Sequence, residues 1–209
     1  MPPLTIRLHR ADLPDDWSFG DAVAIDTETL GLEVGRDRLC LVQLSRGDGD
    51  AEIVQIARGQ TRAPNLERLL ADPAVVKLFH FGRFDMAVMH QAFGVMAGPI
   101  YCTKIASKLA RTYTDRHGLK DLVRELLGAE ISKQQQSSDW GAATLSDAQL
   151  AYAASDVLHL HALRDKLDAM LAREGRDGLA RAAFAYLPER VRLDLAGFGN
   201  MDVFSHAYP

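Results

Sequence analysis

Five side chains in three separated blocks have the types and spacing to do chemistry together. Asp26 and Glu28 stand in A-I-D-T-E-T, Asp85 in H-F-G-R-F-D, and Tyr152 and Asp156 in Y-A-A-S-D. Residues i and i+2 of a strand point to one face, so Asp26 and Glu28 project together. Tyr152 and Asp156 stand at i and i+4 of a helical pattern and lie over one patch. Four carboxylates gathered in one place would repel one another unless divalent cations lay between them. Such hard oxygen ligands select Mg²⁺ or Mn²⁺ over zinc. The chemistry they suggest is metal-dependent hydrolysis.

Each block also has a plainer reading. D-x-E pairs are common at solvated strand ends, and an acid such as Asp85 in a first helical turn is favoured by the helix dipole. Tyr152 could be a core aromatic. Asp156, however, lies among Leu150, Ala153, Ala154, Val157 and Leu160, and Asp is rarely buried unpaired.

The elements that must position these residues alternate between strand and helix, which indicates an α/β layered domain. Ala22–Ile25 is continuously apolar, so Asp21–Thr27 reads as a buried strand. Leu39–Leu44 and Ala51–Gln55 continue a meander around the turn R-G-D-G-D. A helix follows from Pro64 to about Leu70, then a strand over Val75–Phe79 and a helix over Phe84–Phe93. From Thr103 the chain reads as helical. Gly128 stops the segment Gly118–Leu127, and Ser146–Gln149 forms a capping box before one long helix to about Arg173. The polar stretch S-K-Q-Q-Q-S-S-D-W reads as an ordered loop.

The 209 residues, 47% of them hydrophobic, suit one domain spanning 1–209. No apolar run approaches the ~20 residues of a membrane span, and no signal-peptide core opens the chain. Cys40 and Cys102 lack metal-type spacing and read as reduced core thiols of a cytoplasmic protein. The net charge of −4 excludes a bulk polycation that coats nucleic acid. Locally, Lys104, Lys108 and Arg111 at i, i+4 and i+7 predict one basic helical face, solvated or turned to phosphate, with Arg116, His117 and Lys120 just beyond. The apolar tail over about 187–209 must be covered either by its own domain or by a neighbouring subunit.

Taken in order, the acidic blocks and the tyrosine resemble the three motifs of the DEDD exonuclease superfamily, tyrosine subtype. R-L-C-L-V-Q-L-S, H-G-L-K-D-L and Q-S-S-D-W resemble ribonuclease D over about residues 20–172. D-T-E-T-L-G-L, C-T-K-I-A-S-K-L, R-T-Y-T-D-R-H-G-L-K and I-S-K-Q-Q-Q-S-S-D-W are similar to the nanoRNase C group, short ribonuclease D relatives of alphaproteobacteria.

The resemblance implies a ribonuclease H-like (DnaQ-like) exonuclease fold with a central mixed five-stranded sheet flanked by helices. No helical RNA-binding (HRDC) domain is expected after it. It implies a 3′-5′ exoribonuclease that releases 5′-mononucleotides. Asp26, Glu28, Asp85 and Asp156 would hold two Mg²⁺ or Mn²⁺ ions roughly 3.5–4 Å apart. Tyr152 would orient the attacking water or accept its proton. Substrate contacts are expected from Thr29, from Leu32 as a wedge between terminal bases, from His80 and Phe81, and on the 5′ side from Arg116, His117, Gln136 and Ser137. Very short single-stranded RNA, down to dinucleotides, is the expected substrate, and a homo-oligomer, an octamer, the expected assembly. A ribonuclease D-like enzyme acting on tRNA ends, longer RNA or DNA is the nearest alternative. A noncatalytic nucleic-acid-binding module is the other.

Overall fold

The computed structural model describes residues 4–132, 135 and 137–206. Among the described residues there are six strands: β1 (Ile6–Arg10), β2 (Ala22–Thr29), β3 (Leu39–Ser45), β4 (Ala51–Gln55), β5 (Val76–Phe79) and β6 (Ile100–Cys102). The helices are α1 (Pro64–Ala71), α2 (Arg83–Phe93), α3 (Thr103–Ala110), α4 (Leu119–Leu122), α5 (Asp147–Leu158), α6 (Leu160–Arg173) and α7 (Asp177–Leu193). Helix α4 runs on into a π-helical turn over Val123–Leu127, and α7 into one over Asp194–Phe198.

The strands form one mixed sheet in the order β1-β4-β3-β2-β5-β6. β2, β3 and β4 are antiparallel neighbours, whereas β5 and β6 continue the sheet in parallel. The expected count of five is corrected to six, because β1 adds to the β4 edge in parallel. Its segment precedes the stretch that carries the sequence motifs, and most of its side chains are exposed, so its apolar pattern is weak. Polar contacts hold it instead. Arg7 bonds Glu52 and Asp50, each at 2.8 Å, and His9 Nε2 lies 2.6 Å from Glu52.

β2 is central, and its first four residues are buried on both faces, as a strand covered by helices on each side must be. Exposure then alternates, with Asp26 and Glu28 partly open and Thr27 and Thr29 buried. The register with β3 slips between Glu28 and Thr29. Such bulges re-aim side chains where a strand ends at a site.

The capping box is present: Gln149 N–H donates to Ser146 Oγ at 3.2 Å, and Ser146 N–H to Gln149 Oε1 at 2.9 Å. The single helix expected to run to Arg173 is two, because the chain breaks at His159 (φ −99°, ψ −8°). No Gly or Pro marks that break in the sequence. Beyond Arg173, α7 buries Phe184, Leu187 and Val191 in the main core. Phe198 and Phe204 stay exposed, and Phe204 packs on Tyr186 with ring centroids 5.7 Å apart.

Candidate active site

The end of β2, the first turn of α2 and the middle of α5 converge. Carboxylate oxygens of Asp26, Glu28 and Asp156 lie within 4.8 Å of one another. Asp85, buried in the first turn of α2, meets them from the side, and Thr27 Oγ1 donates to its Oδ1 at 2.6 Å. A Cβ on Gly82, one residue before α2, would lie 2.6 Å from Phe79 Cβ, so only glycine lets the helix start this close to β5.

The electrostatics agree with the geometry. Burial, followed by the charges of Asp85, Asp156 and Glu28, holds the Asp26 carboxyl well above the usual carboxylate range. Burial and then Asp156 and Asp85 push Glu28 up to about 8. Burial lifts Asp85 to about 7 although the Thr27 hydroxyl opposes it. Three carboxyls raised in this way beside Asp156 are a donor set suited to divalent cations, whose charge removes the repulsion. The Tyr152 phenol is raised by burial and by Asp156, Glu28 and Asp26, and it hydrogen-bonds Asp156.

A cleft of about 190 Å³ opens over this cluster, lined by Asp26, Tyr152, Asp156, His80, Leu119, Lys120, Ile131 and Ser132. His80 Nδ1 is 2.9 Å from Thr103 Oγ1, and burial together with Lys104 pushes the imidazole down to about 3, so it is neutral. Beside this cleft runs a groove of about 500 Å³ whose lining includes Leu32, Phe81, Arg83, Phe84, Asp194 and Asn200. Leu32 is 86% exposed, so it is no core leucine. Phe81 is also exposed and holds a left-handed backbone (φ 68°), a strain found where function fixes a side chain. Lys104 Nζ sits 4.3 Å from the centre of its ring.

Other expected contacts lie elsewhere. Thr29 is buried and donates its hydroxyl to Gly31 O, shaping the turn that carries Leu32. At Gly31 itself an added Cβ would meet Asp37 Oδ2 at 2.2 Å. His117 is half-buried, with Nδ1 2.8 Å from Ser107 Oγ. Arg116 and Ser137 are exposed, and Gln136 lies outside the described residues.

The basic face predicted on α3 needs correction. Arg111, which caps α3 with its N–H still on Ser107 O, is fully buried and continues the inward row of Thr103 and Ser107. Its guanidinium is bonded by Ser107 Oγ at 3.2 Å, by the Arg116 carbonyl at 2.8 Å and by Glu125.

Three residues at or beside the cleft carry no distinct signal of that role in the sequence. Lys120 was visible in the sequence only as part of a basic run. Trp140, whose ring packs on Tyr152 at 5.9 Å, was visible only inside a motif. Arg83 bonds Asp194 at 2.7 Å and Gly199 O at 2.8 Å, which pins the turn after α7 to the helix that carries Asp85.

A mixed sheet whose central strand brings Asp26 and Glu28 to helix-borne acids defines the ribonuclease H-like exonuclease class. The chain belongs to the 3′-5′ exonuclease family, whose profile matches residues 11–172. It is similar to Brucella melitensis NrnC in two solved structures. The one bound to pGG is 59% identical, with a TM-score of 0.95 over 98% of this chain and 100% of that one. The one with bound Mg²⁺ is 58% identical, with a TM-score of 0.94 over 97% and 100%. Ribonuclease D of Gluconacetobacter diazotrophicus is 42% identical over 154 residues, covering 74% of this chain and 39% of that protein. The chain spans about two fifths of the length of the ribonuclease D relatives it matches.

Proposed function

We propose that this chain hydrolyses the 3′-terminal phosphodiester of very short RNA and releases 5′-mononucleotides. The observation that carries the reading is the half-buried cluster of Asp26, Glu28 and Asp156 within 4.8 Å, joined by the buried Asp85 and faced by Tyr152. Asp26, Glu28, Asp85 and Asp156 would hold two divalent ions, Mg²⁺ or Mn²⁺. When bound, these supply charge for the developing oxyanion and lower the pKa of the attacking water. Tyr152 stays protonated near neutral pH and orients that water through its hydroxyl. Trp140 holds the ring of Tyr152, and Asp156 holds its hydroxyl.

Selectivity for short substrates rests on the groove beside the cleft. An apolar side chain as exposed as Leu32, opposite Phe81, suits stacking against bases without reading their identity. His117, with the exposed Arg116 and Ser137, would receive a 5′ phosphate. The similarity to NrnC bound to pGG supports this reading, and the shorter match to ribonuclease D supports the broader alternative.

The deciding experiment compares turnover of a 5′-phosphorylated diribonucleotide, a twenty-nucleotide RNA and a DNA strand of equal length. The dinucleotide is expected to turn over fastest. A longer RNA cleaved as fast would replace the short-RNA reading with the ribonuclease D-like one. Metal-independent binding without cleavage would leave only a binding module.

Exposed Phe204 and Val203 on the tail support association of several copies of the chain, an octamer by family resemblance. Light scattering that returns a monomer would overturn that part. Two free, buried cysteines and the absence, among the described residues, of a helix able to cross a membrane accord with action in the cytoplasm.

A further inference from the structure

Helix α3 and its capping residue carry a polar ladder on their buried side. Thr103, Ser107 and Arg111 follow one another at four-residue steps, and all three are fully buried. The ladder grips two histidines from other segments, His80 before α2 and His117 before α4.

The direction of each bond follows from counting hydrogens. Thr103 Oγ1 donates its single hydrogen to Phe79 O, 3.2 Å away. Were that hydrogen given to His80 instead, two oxygens would face each other at that distance with nothing between them. His80 Nδ1 is therefore the donor to Thr103. The ring is neutral, so its Nε2 carries no hydrogen and is an acceptor. Among the described residues Nε2 has no partner, and His80 lines the cleft that holds Asp26, Tyr152 and Asp156.

The second rung runs the other way. Arg111 has only donors, so Ser107 Oγ accepts from it. Ser107 is fully buried, and among the described residues His117 Nδ1 is the one acceptor in reach of its hydrogen, so Ser107 donates to His117. His117 then carries its hydrogen on Nε2 and is a donor.

We infer that His80 is a sugar-reading residue: its bare Nε2 accepts the hydrogen of a ribose hydroxyl on the 3′-terminal nucleotide, with Thr103 as the positioning residue that sets the tautomer. An acceptor in a cleft lined with carboxylates repels phosphate oxygens. The remaining partner that a terminal nucleotide offers at backbone level is a hydroxyl. The inference rests on the exonuclease reading above, and it assigns the ribose-binding group within that site.

The test uses the full chain with Mg²⁺ and three 5′-phosphorylated dinucleotides, whose 3′-terminal sugar is ribose, 2′-deoxyribose or 3′-deoxyribose. Wild type is expected to lose on the order of tenfold in kcat/KM on one of the two deoxy substrates, which identifies the hydroxyl. His80→Ala is expected to lose a similar factor on the ribose substrate and nothing further on that deoxy substrate. Equal losses on all three would overturn the proposal.

Nitrogen-15 spectra of labelled histidine provide a readout that does not depend on turnover. His80 is expected as the Nδ1–H tautomer and His117 as the Nε2–H tautomer, with Thr103→Val releasing only the first. An Nε2–H signal at His80 in the wild type would also overturn the assignment. If wild type cleaves none of the three dinucleotides, the short-RNA reading fails, whereas the tautomers are still decided by the spectra.

Discussion

The hydroxyl of Thr27 donates to Asp85 Oδ1 at 2.6 Å, joining the central strand to the helix that brings the fourth acid, across 58 residues of sequence. Thr27 sits between Asp26 and Glu28 and points the opposite way, so one strand presents two acids and orients a third. Thr27→Val keeps the shape and removes that bond. The variant is expected to fold and to need about ten- to hundredfold more Mg²⁺ for half-maximal activity. An unchanged Mg²⁺ titration would show that Asp85 is positioned without Thr27.

Burial, and then the charges of Asp85, Asp156 and Glu28, hold the Asp26 carboxyl well above the usual carboxylate range. Asp26→Asn is expected to abolish turnover. It should also stabilise the metal-free protein by about 1 kcal/mol, or roughly 2–4 °C in Tm, because one mutually repelling carboxylate is gone. Undiminished cleavage by the variant would remove Asp26 from the metal set. A lowered Tm would show that burying the Asp26 carboxyl among other acids costs the fold nothing.

The raised acids give the metal-free protein a pH dependence of definite sign. Glu28 moves from 4.5 up to about 8 on folding, and Asp85 from 3.8 up to about 7. A carboxyl with a raised folded-state pKa contributes stability that is complete below its unfolded value and is lost as pH rises through the folded one. Chemical denaturation without metal should therefore show stability falling between about pH 4 and pH 8. Mg²⁺ should flatten that fall and bind more tightly as pH rises toward 8. A metal-free stability that rises across this window would contradict the assigned shifts.

Burial and then the acids around it raise Tyr152, which remains a phenol at neutral pH. Tyr152→Phe keeps the packing on Trp140 but loses the hydroxyl. A fall in kcat of about 10²-fold with KM nearly unchanged is expected. A change in KM alone would make Tyr152 a binding residue.

Leu32 stands 86% exposed, so Leu32→Ala has no packing to lose. Thermal stability should stay within about 0.5 kcal/mol of wild type, while KM for a dinucleotide rises several-fold. A clear loss of stability would mean that the leucine is packed after all.

Much of the site could be read before folding was considered. Asp26 and Glu28 share a face because strands have period two, and Tyr152 and Asp156 share one because helices repeat every 3.6 residues. The Ser146 capping box is equally local. Arg111 stands at i+7 from Lys104 but also at i+4 from Ser107, so spacing alone cannot tell whether it joins the exposed lysine row or the buried polar one. Strand β1 escaped notice because it is held by Arg7 and His9 on Glu52 and Asp50, partners more than forty residues away. The break at His159 has no local signal in Gly or Pro.

Residue order alone determined which acids stand on which strand or helix and which face each presents, since both follow from backbone periodicity. Tertiary structure decided what depends on segments meeting. It placed Thr27 on Asp85, buried Arg111 against Glu125, and pinned the turn after α7 to Arg83. The tautomers of His80 and His117 belong with these decisions. The state of an imidazole is set by the group across the hydrogen bond, and here that group comes from another element. The shared face of Asp26 and Glu28 is therefore written in their spacing, whereas the acceptor proposed at His80 Nε2 exists only because Thr103 of α3 packs against the ring.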